Sequence, residues 1–442
     1  MSNLIPTHDL STRAGKSRVK ALVARLRLDV PRFIATTGEL ARVGKTVQEQ
    51  IEQVVAHGDA ALVDIARQFD DPQFTRKDLV VERKQLSKAR DATATHLMSS
   101  VVRAINQVRE YQQHILPSDP RPLKRKGVEL GLRFTPIDRV GLYVPGGKAS
   151  YPSSLIMLAV PALVAGVREL IVCTPPSRKA SGDLLLATAC ELGFERVYRV
   201  GGAAAIAAMA VGTKTIARVD KIVGPGNLYV QMAKRLVSGA VGIDGFAGPS
   251  EILVLADESA DAGSIAADLL AQAEHNPGSC FLLTDSVSLA KRVQAEIEAQ
   301  LGSLDRAGVI RAALAGESAI IIGKQMTELV DLANEFAAEH VSVQVKDPEI
   351  VLKGLRHAGA IFVGPYSPVA AGDYVAGPSH CLPTNTTARF SGGISVYEFL
   401  KRTGTIRYTA AGLRADAGAI KDIALAEGLD AHAKSISAGI RA

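Results

Sequence analysis

Apolar residues recur at three- and four-residue spacing over residues 46–69 (Ile51, Val54, Val55, Leu62, Ile65) and 86–115 (Leu97, Val101, Ala104, Ile105, Val108). That period predicts amphipathic helices, so the first third reads as mainly helical. Beyond residue 140 the pattern becomes short apolar runs at 140–144, 169–173, 196–200, 221–223, 252–256, 281–284, 319–322, 341–345 and 360–363, with helical stretches between them. Strand–helix alternation predicts an α/β fold of parallel sheets with helices on both faces. The Gly/Pro-rich turn at 244–249 suggests a break, hence two smaller sheets with a cleft rather than one wide sheet. A further unit is expected after Gly377-Pro378, carrying Ser391-Gly392-Gly393 and ending in a helical stretch at 414–440.

Composition narrows the class. A chain of 442 residues has room for two or three domains. Its 47% hydrophobic and 22% charged residues are ordinary for a globular protein, and abundant Ala and Gly with no Trp suit close helix-on-sheet packing. The net charge of +6 is spread over 51 basic and 45 acidic residues without a basic stripe, which argues against a nucleic-acid binder. Cys173, Cys190, Cys280 and Cys381 lie far apart with no C-x-x-C spacing, which argues against a disulfide framework or a thiolate zinc site and fits a reducing cytoplasm. No apolar run approaches membrane-spanning length. The basic stretch 13–27 reads as an arm or helix of the mature protein.

Glycine-rich turns follow three predicted strands: Tyr143-Val-Pro-Gly-Gly147, Gly201-Gly202 and Gly224-Pro-Gly-Asn227. Open α/β sheets bind ligands at the carboxyl ends of their strands, and helix N-termini after such turns favour phosphate. None matches G-x-G-x-x-G, and singly each is a turn before it is a site. Gln272 and His275 are three apart near the end of a predicted helix from Ser264, so they share a face and could reach one ion, or simply end a surface helix. Glu339-His340 stands at a helix-to-strand junction, where the imidazole could take an alcohol proton at neutral pH. Asp373 lies in a Gly-rich loop, where an Asx turn is the plain alternative, and Glu427 and His432 lie on a terminal helix that by itself reads as solvated surface.

Together, GLYVPGGKASYPSS (141–154), DKIVGPGNLYV (220–230), AGPSEILVLAD (247–257), DLLAQAEH (268–275), AEH (338–340), GPYSPVAAGDYVAGPSHCLPT (364–384) and AEGLDAH (426–432) resemble the histidinol dehydrogenase family over nearly the whole chain. The resemblance implies a fold of two Rossmann-like domains with parallel sheets and incomplete dinucleotide-binding motifs, plus small helical N- and C-terminal segments. The expected partition is an N-terminal arm at 1–28, a first domain at 29–142 with 251–385, a second at 143–250, and a C-terminal dimer-swapped segment at 386–442. It further implies oxidation of L-histidinol to L-histidine through L-histidinaldehyde, the last step of histidine biosynthesis, with two NAD⁺ reduced.

One Zn²⁺ per subunit would be held by Gln272, His275, Asp373 and His432, an oxygen/nitrogen set suited to that ion, and would orient the substrate. His340 would deprotonate the hydroxyl and Glu339 would activate the water that hydrates the aldehyde. Ser250, His380 and Glu427 would contact substrate together with Gln272, His275, His340, Asp373 and His432. Tyr143 and Asn227 would lie at NAD⁺, while Ala204 stands where the family has a glutamine. Family members are homodimers in which the C-terminal segment completes the neighbour's site, so Glu427 and His432 would serve the partner. No catalytic cysteine is implied, so Cys381 reads as structural. A paralogue acting on another small polar alcohol, such as a sulfonated diol, is the alternative; retained His380 and Glu427 argue against an anionic substrate. A dead metal- or nucleotide-binding protein is disfavoured by the intact Glu339, His340 and ligand positions.

Overall fold

A computed structural model describes residues 4–27, 37–146, 151–176, 182–246, 248–275 and 278–441. Gly147 of the first turn, Ala247 and the Asn276-Pro277 helix stop lie outside the described residues.

Two six-stranded sheets carry the fold. The first has the order β1 (Thr7–Asp9), β12 (Ala319–Ile322), β11 (Gly278–Thr284), β10 (Ser250–Ala256), β13 (His340–Gln344), β14 (Ala360–Val363), all parallel. The second has the order β2 (Val80–Glu82), β7 (Arg196–Arg199), β6 (Glu169–Thr174), β5 (Arg139–Tyr143), β8 (Lys221–Val223), β9 (Gly242–Ile243), with β2 alone antiparallel. Strands such as Ser250–Ala256 and Gly278–Thr284 are buried almost throughout, as expected where helices cover both faces. Leaving out β1 and β2, both sheets wind in one sense: two strands to one side of the first, then two to the other. Each therefore has a switch point, β10/β13 in the first sheet and β5/β8 in the second.

The sheets do not divide the chain as expected. The helices between residues 39 and 114 pack on the second sheet, not on the one formed from 251–385. Val43, Val47 and Val54 of helix Glu39–His57 share a core with Ala203 to Ala210. Val101, Ile105 and Val108 of helix Thr95–His114 pack on Ile156, Met157 and Val160. The alanine-rich helix Gly202–Val211 presents a flat surface that a valine ridge can approach closely, which explains the docking. The N-terminal arm adds β1 to the edge of the first sheet, besides its helix Arg13–Leu26.

A third sheet, β15 (Leu400–Tyr408), β4 (Val128–Pro136) and β3 (Leu123–Arg125), is antiparallel and places a strand inside the C-terminal segment ahead of helices Ala410–Ala426 and Asp430–Arg441. Strand β4 alternates apolar Val128, Leu130, Leu132 and Phe134 with Glu129, Gly131, Arg133 and Thr135, the mark of a half-buried strand, whereas β15 is exposed along nearly its whole length.

Candidate active site between the two sheets

The two sheets contribute opposite ends to one region. Ser250 and Glu251 open β10, and His340 opens β13 directly after Glu339. These are amino ends of adjacent strands, with Ile252 in register with His340. Glu339 and His340 are buried, at 7% and 4% exposure, so their polar atoms need internal partners. Glu339 Oε2 accepts from Ser250 Oγ at 2.5 Å and from the Glu251 N–H at 2.9 Å. His340 Nδ1 lies 3.0 Å from the Glu251 carbonyl. A carbonyl can only accept, so Nδ1 carries the hydrogen and Nε2 is left with its lone pair. That Nε2 is buried, without a hydrogen-bond partner, and 3.9 Å from Asp373 Oδ1.

Burial lowers the pKa of His340 against the opposing pull of Asp373, so the imidazole is neutral and able to accept a proton. Burial pushes Glu339 up to about 8; the Ser250 hydroxyl and Glu251 N–H oppose the rise and the Asp373 charge adds to it. A carboxyl titrating near neutral pH can deprotonate water more readily than one in the usual carboxylate range.

Gln272 and His275 close the helix side. Gln272 is buried near the end of helix Ala262–Ala273 and its amide nitrogen lacks a partner. His275 is pushed down by burial and feels the charges of Asp373 and His340, so it belongs to the same cluster and is neutral, as a metal ligand must be. Asp373 lies on the short helix Val369–Tyr374, and its carbonyl accepts from His380 Nδ1 at 2.7 Å. His380 Nε2 lies 3.2 Å from Ser154 Oγ, on helix Pro152–Ala165 of the second sheet's layer. The chain His340, Asp373, His380, Ser154 thus crosses from the amino edge of the first sheet to the carboxyl edge of the second.

On that carboxyl edge Tyr143 ends β5 and Asn227 follows β8, at the switch point. Tyr143 is buried and its hydroxyl accepts from the Gly202 N–H at 3.2 Å; burial pushes its pKa up to about 12. Asn227 is exposed, and its side chain caps helix Leu228–Val237 by accepting from Tyr229 and Val230 N–H. Gly224, at φ +124°, would put a Cβ 2.1 Å from the Tyr143 carbonyl, so only glycine lets the two turns close up. Beneath them the buried Lys234 donates to the Gly224 carbonyl at 2.7 Å and pairs with Asp244, which in turn accepts from the Gly224 N–H at 2.7 Å. Ala204 is buried in the adjoining core.

Glu427 and His432 are exposed and, among the described residues, make no hydrogen bond or ion pair with this cluster. Among the described residues no group of three or more His, Cys, Asp and Glu side chains is gathered to hold a metal. The one-chain part of the expected ligand set fits a metal by its chemistry. It comprises a buried amide, which ligates through its oxygen, a neutral imidazole and a carboxylate, the last two titratable. Sequence reasoning missed Ser154, Glu251 and Asp268. Asp268 accepts from the Val369 N–H at the start of the Asp373 helix, and burial pushes it up to about 6. Its position one turn before Gln272 was the available signal.

The fold and site define a parallel-sheet α/β protein with a buried acid–base pair, linked through Asp373, His380 and Ser154 to the carboxyl edge of a second sheet, the layout of an enzyme. Comparison with known proteins narrows this. The family model for histidinol dehydrogenase matches residues 35–440. Histidinol dehydrogenase of Agrobacterium fabrum is 46% identical over 407 residues, covering 92% of this chain and 94% of that protein. That of Bacillus subtilis is 43% identical, with 95% and 98% covered. The crystal structure of histidinol dehydrogenase from Elizabethkingia anophelis superposes with a TM-score of 0.91 at 30% identity, covering 100% and 99%. The chain belongs to the histidinol dehydrogenase family, whose members are NAD-dependent oxidoreductases. No helix among the described residues is long and apolar enough to cross a membrane.

Proposed function

We propose that this protein oxidises L-histidinol to L-histidine in two hydride transfers to NAD⁺ at the cleft between the sheets. The observation that carries the reading is His340 Nε2, a buried, neutral, unpartnered base held by its Nδ1 and placed beside Asp373. His340 takes the hydroxyl proton as the first hydride leaves. Glu339, fixed by Ser250 and Glu251, then deprotonates the water that adds to the aldehyde, whose oxygen takes the proton back from His340, and the freed His340 accepts the hydroxyl proton of the resulting diol as the second hydride leaves. The two groups enter one site from one strand junction, so neither the substrate nor the aldehyde has to relocate between steps.

Gln272, His275 and Asp373, with His432 of a second copy, would hold a zinc ion that binds and orients the substrate. Because His432 and Glu427 make no contact with this site, they complete it only if a second copy supplies them, so the working unit is proposed to be a homodimer. Ser250 and His380 line the substrate's place. NAD⁺ is assigned to the turns at Tyr143, Gly201–Gly202 and Gly224–Asn227, where helices Gly202–Val211 and Leu228–Val237 begin. The domain partition is proposed as 37–246 with 394–399, and 4–27 with 248–380, with 400–441 reaching the second copy. A sulfonated or otherwise anionic alcohol is a poor match to a site already holding Asp373, Asp268 and Glu339.

The test is to supply histidinol, NAD⁺ and zinc and count NADH. Two per histidinol, lost with a chelator and recovered with zinc, supports the reading. A folded protein that turns over another alcohol and leaves histidinol untouched overturns it.

A further inference from the structure

Glu251 is buried, at 2% exposure, and touches both proton-transfer groups through its backbone. Its N–H holds Glu339 Oε2 and its carbonyl holds His340 Nδ1. Its carboxyl group also receives the Glu339 backbone N–H and reaches further. Glu251 Oε1 accepts from the Asn385 N–H at 3.0 Å, across 134 residues of sequence. Asn385 and Thr386 both have left-handed backbones, at φ +55° and +64°. For a β-branched threonine this conformation is costly and persists only where neighbours over-determine it.

The neighbours are visible. Thr384 Oγ1 accepts from the Gly248 N–H, and a Cβ on Gly248 would lie 1.9 Å from Asn385 Nδ2, so the turn is pressed onto the connector that leads into β10. Just upstream, Leu382 and Pro383 sit 3.2 Å from where a Gly359 Cβ would be, and that same Cβ would lie 2.5 Å from the Glu339 carbonyl. The turn that Glu251 grips therefore ends the segment that begins at His380 and packs along the Glu339 backbone.

We propose that Glu251 is a positioning residue, its carboxyl group latching the 384–386 turn so that His380 and the Glu339–His340 pair are held at fixed distance. This rests on the reading that Glu339 and His340 move the protons. Burial pushes the Glu251 carboxyl up to about 8, with the Glu339 charge adding to the rise, so near neutrality it holds the turn as an uncharged acid. That avoids a second buried negative charge beside Glu339.

The test is steady-state kinetics of the full-length, zinc-loaded protein with histidinol and NAD⁺. Glu251→Ala should lower kcat roughly tenfold or more and raise KM for histidinol, because sub-ångström misplacement of reacting groups is costly. KM for NAD⁺ should stay within about twofold, since the cofactor turns lie on the other sheet. Glu251→Gln keeps an acceptor oxygen for the Asn385 N–H and should recover most of the loss. Gly248→Ala, which displaces the turn without altering Glu251, should reproduce the Ala pattern and stands in if Glu251→Ala does not fold. Glu251→Ala or Gly248→Ala with unchanged kcat and KM, or a Gln variant as impaired as Ala, overturns the latch. His340→Ala run alongside separates the two failures: if it too keeps activity, the proton-transfer reading has failed rather than the latch.

Discussion

The two sheets wind their strands in the same order, 3-2-1-4-5 from the parallel edge, yet they offer opposite ends to the cleft. The second sheet presents its carboxyl edge, with Gly201–Gly202 and Gly224–Asn227 leading into helices, the usual place for a ligand in an open α/β sheet. The first sheet presents its amino edge, with Ser250, Glu251, Glu339 and His340 at the starts of β10 and β13. Backbone amides and helix starts suit an anionic dinucleotide. Side chains rooted in two hydrogen-bonded strands suit proton transfer, because neighbouring strands fix their separation. One topology thus supplies two chemistries according to which end is turned inward.

The sharpest way to break that comparison is on the amino edge. His340→Ala should slow both hydride transfers by roughly a thousandfold, within the usual span for a lost general base, while leaving NAD⁺ binding intact in a titration. A loss confined to NAD⁺ affinity would assign the residue to the wrong side. On the carboxyl edge, Gly224→Ala forces a side chain into a φ +124° position against the Tyr143 carbonyl. Strain of about 1–3 kcal/mol there should raise KM for NAD⁺ about tenfold or more while kcat at saturating cofactor changes little. A fall in kcat with unchanged KM would contradict the division between edges.

The pH response distinguishes the edges next. Glu339 is raised to about 8, so its base form grows as pH rises, and the aldehyde step should quicken between about pH 6 and 8 before levelling. His340 is lowered by burial, so its own gain of the base form lies at lower pH than that of Glu339. For stability the sign runs the other way. The folded chain keeps protons on Glu251 and Glu339 that the unfolded chain releases above about pH 4.5, so their contribution is greatest at the acid end and is lost as pH climbs to about 8. Thermal melts of the metal-free protein should fall across that window, and a flat profile would count against buried protonated carboxyls. The smallest effect concerns Ala204. Ala204→Gln should lower KM for NAD⁺ by a few fold, the worth of about 0.5–1.5 kcal/mol for one hydrogen bond, and no change would leave position 204 as packing alone.

Much of this was legible in the chain. The nine apolar runs beyond residue 140 correspond to strands of the two main sheets because fully buried parallel strands need unbroken apolar sequence. In the antiparallel ribbon, β4 carried a legible but overlooked alternation at Val128, Leu130, Leu132 and Phe134, while its partner β15 was not legible, because Ile406 and its neighbours are exposed and carry no burial pattern. The docking of helices Glu39–His57 and Thr95–His114 on the second sheet was also hidden, since amphipathic period shows that a face is buried but not against what. At the site, the adjacency of Glu339 and His340 was plain, while Glu251 fell just outside the apolar run 252–256 and was not singled out. Its part depends on a turn 134 residues away, a distance no local pattern reports.

The most direct test of the account is a step-resolved comparison of Glu339→Gln with wild type, using histidinol and then histidinaldehyde as the starting substrate. The account predicts a first hydride transfer close to wild type and an aldehyde oxidation slowed roughly a hundredfold, the share of a base that acts only on water. Equal slowing of both steps, or of neither, would contradict it.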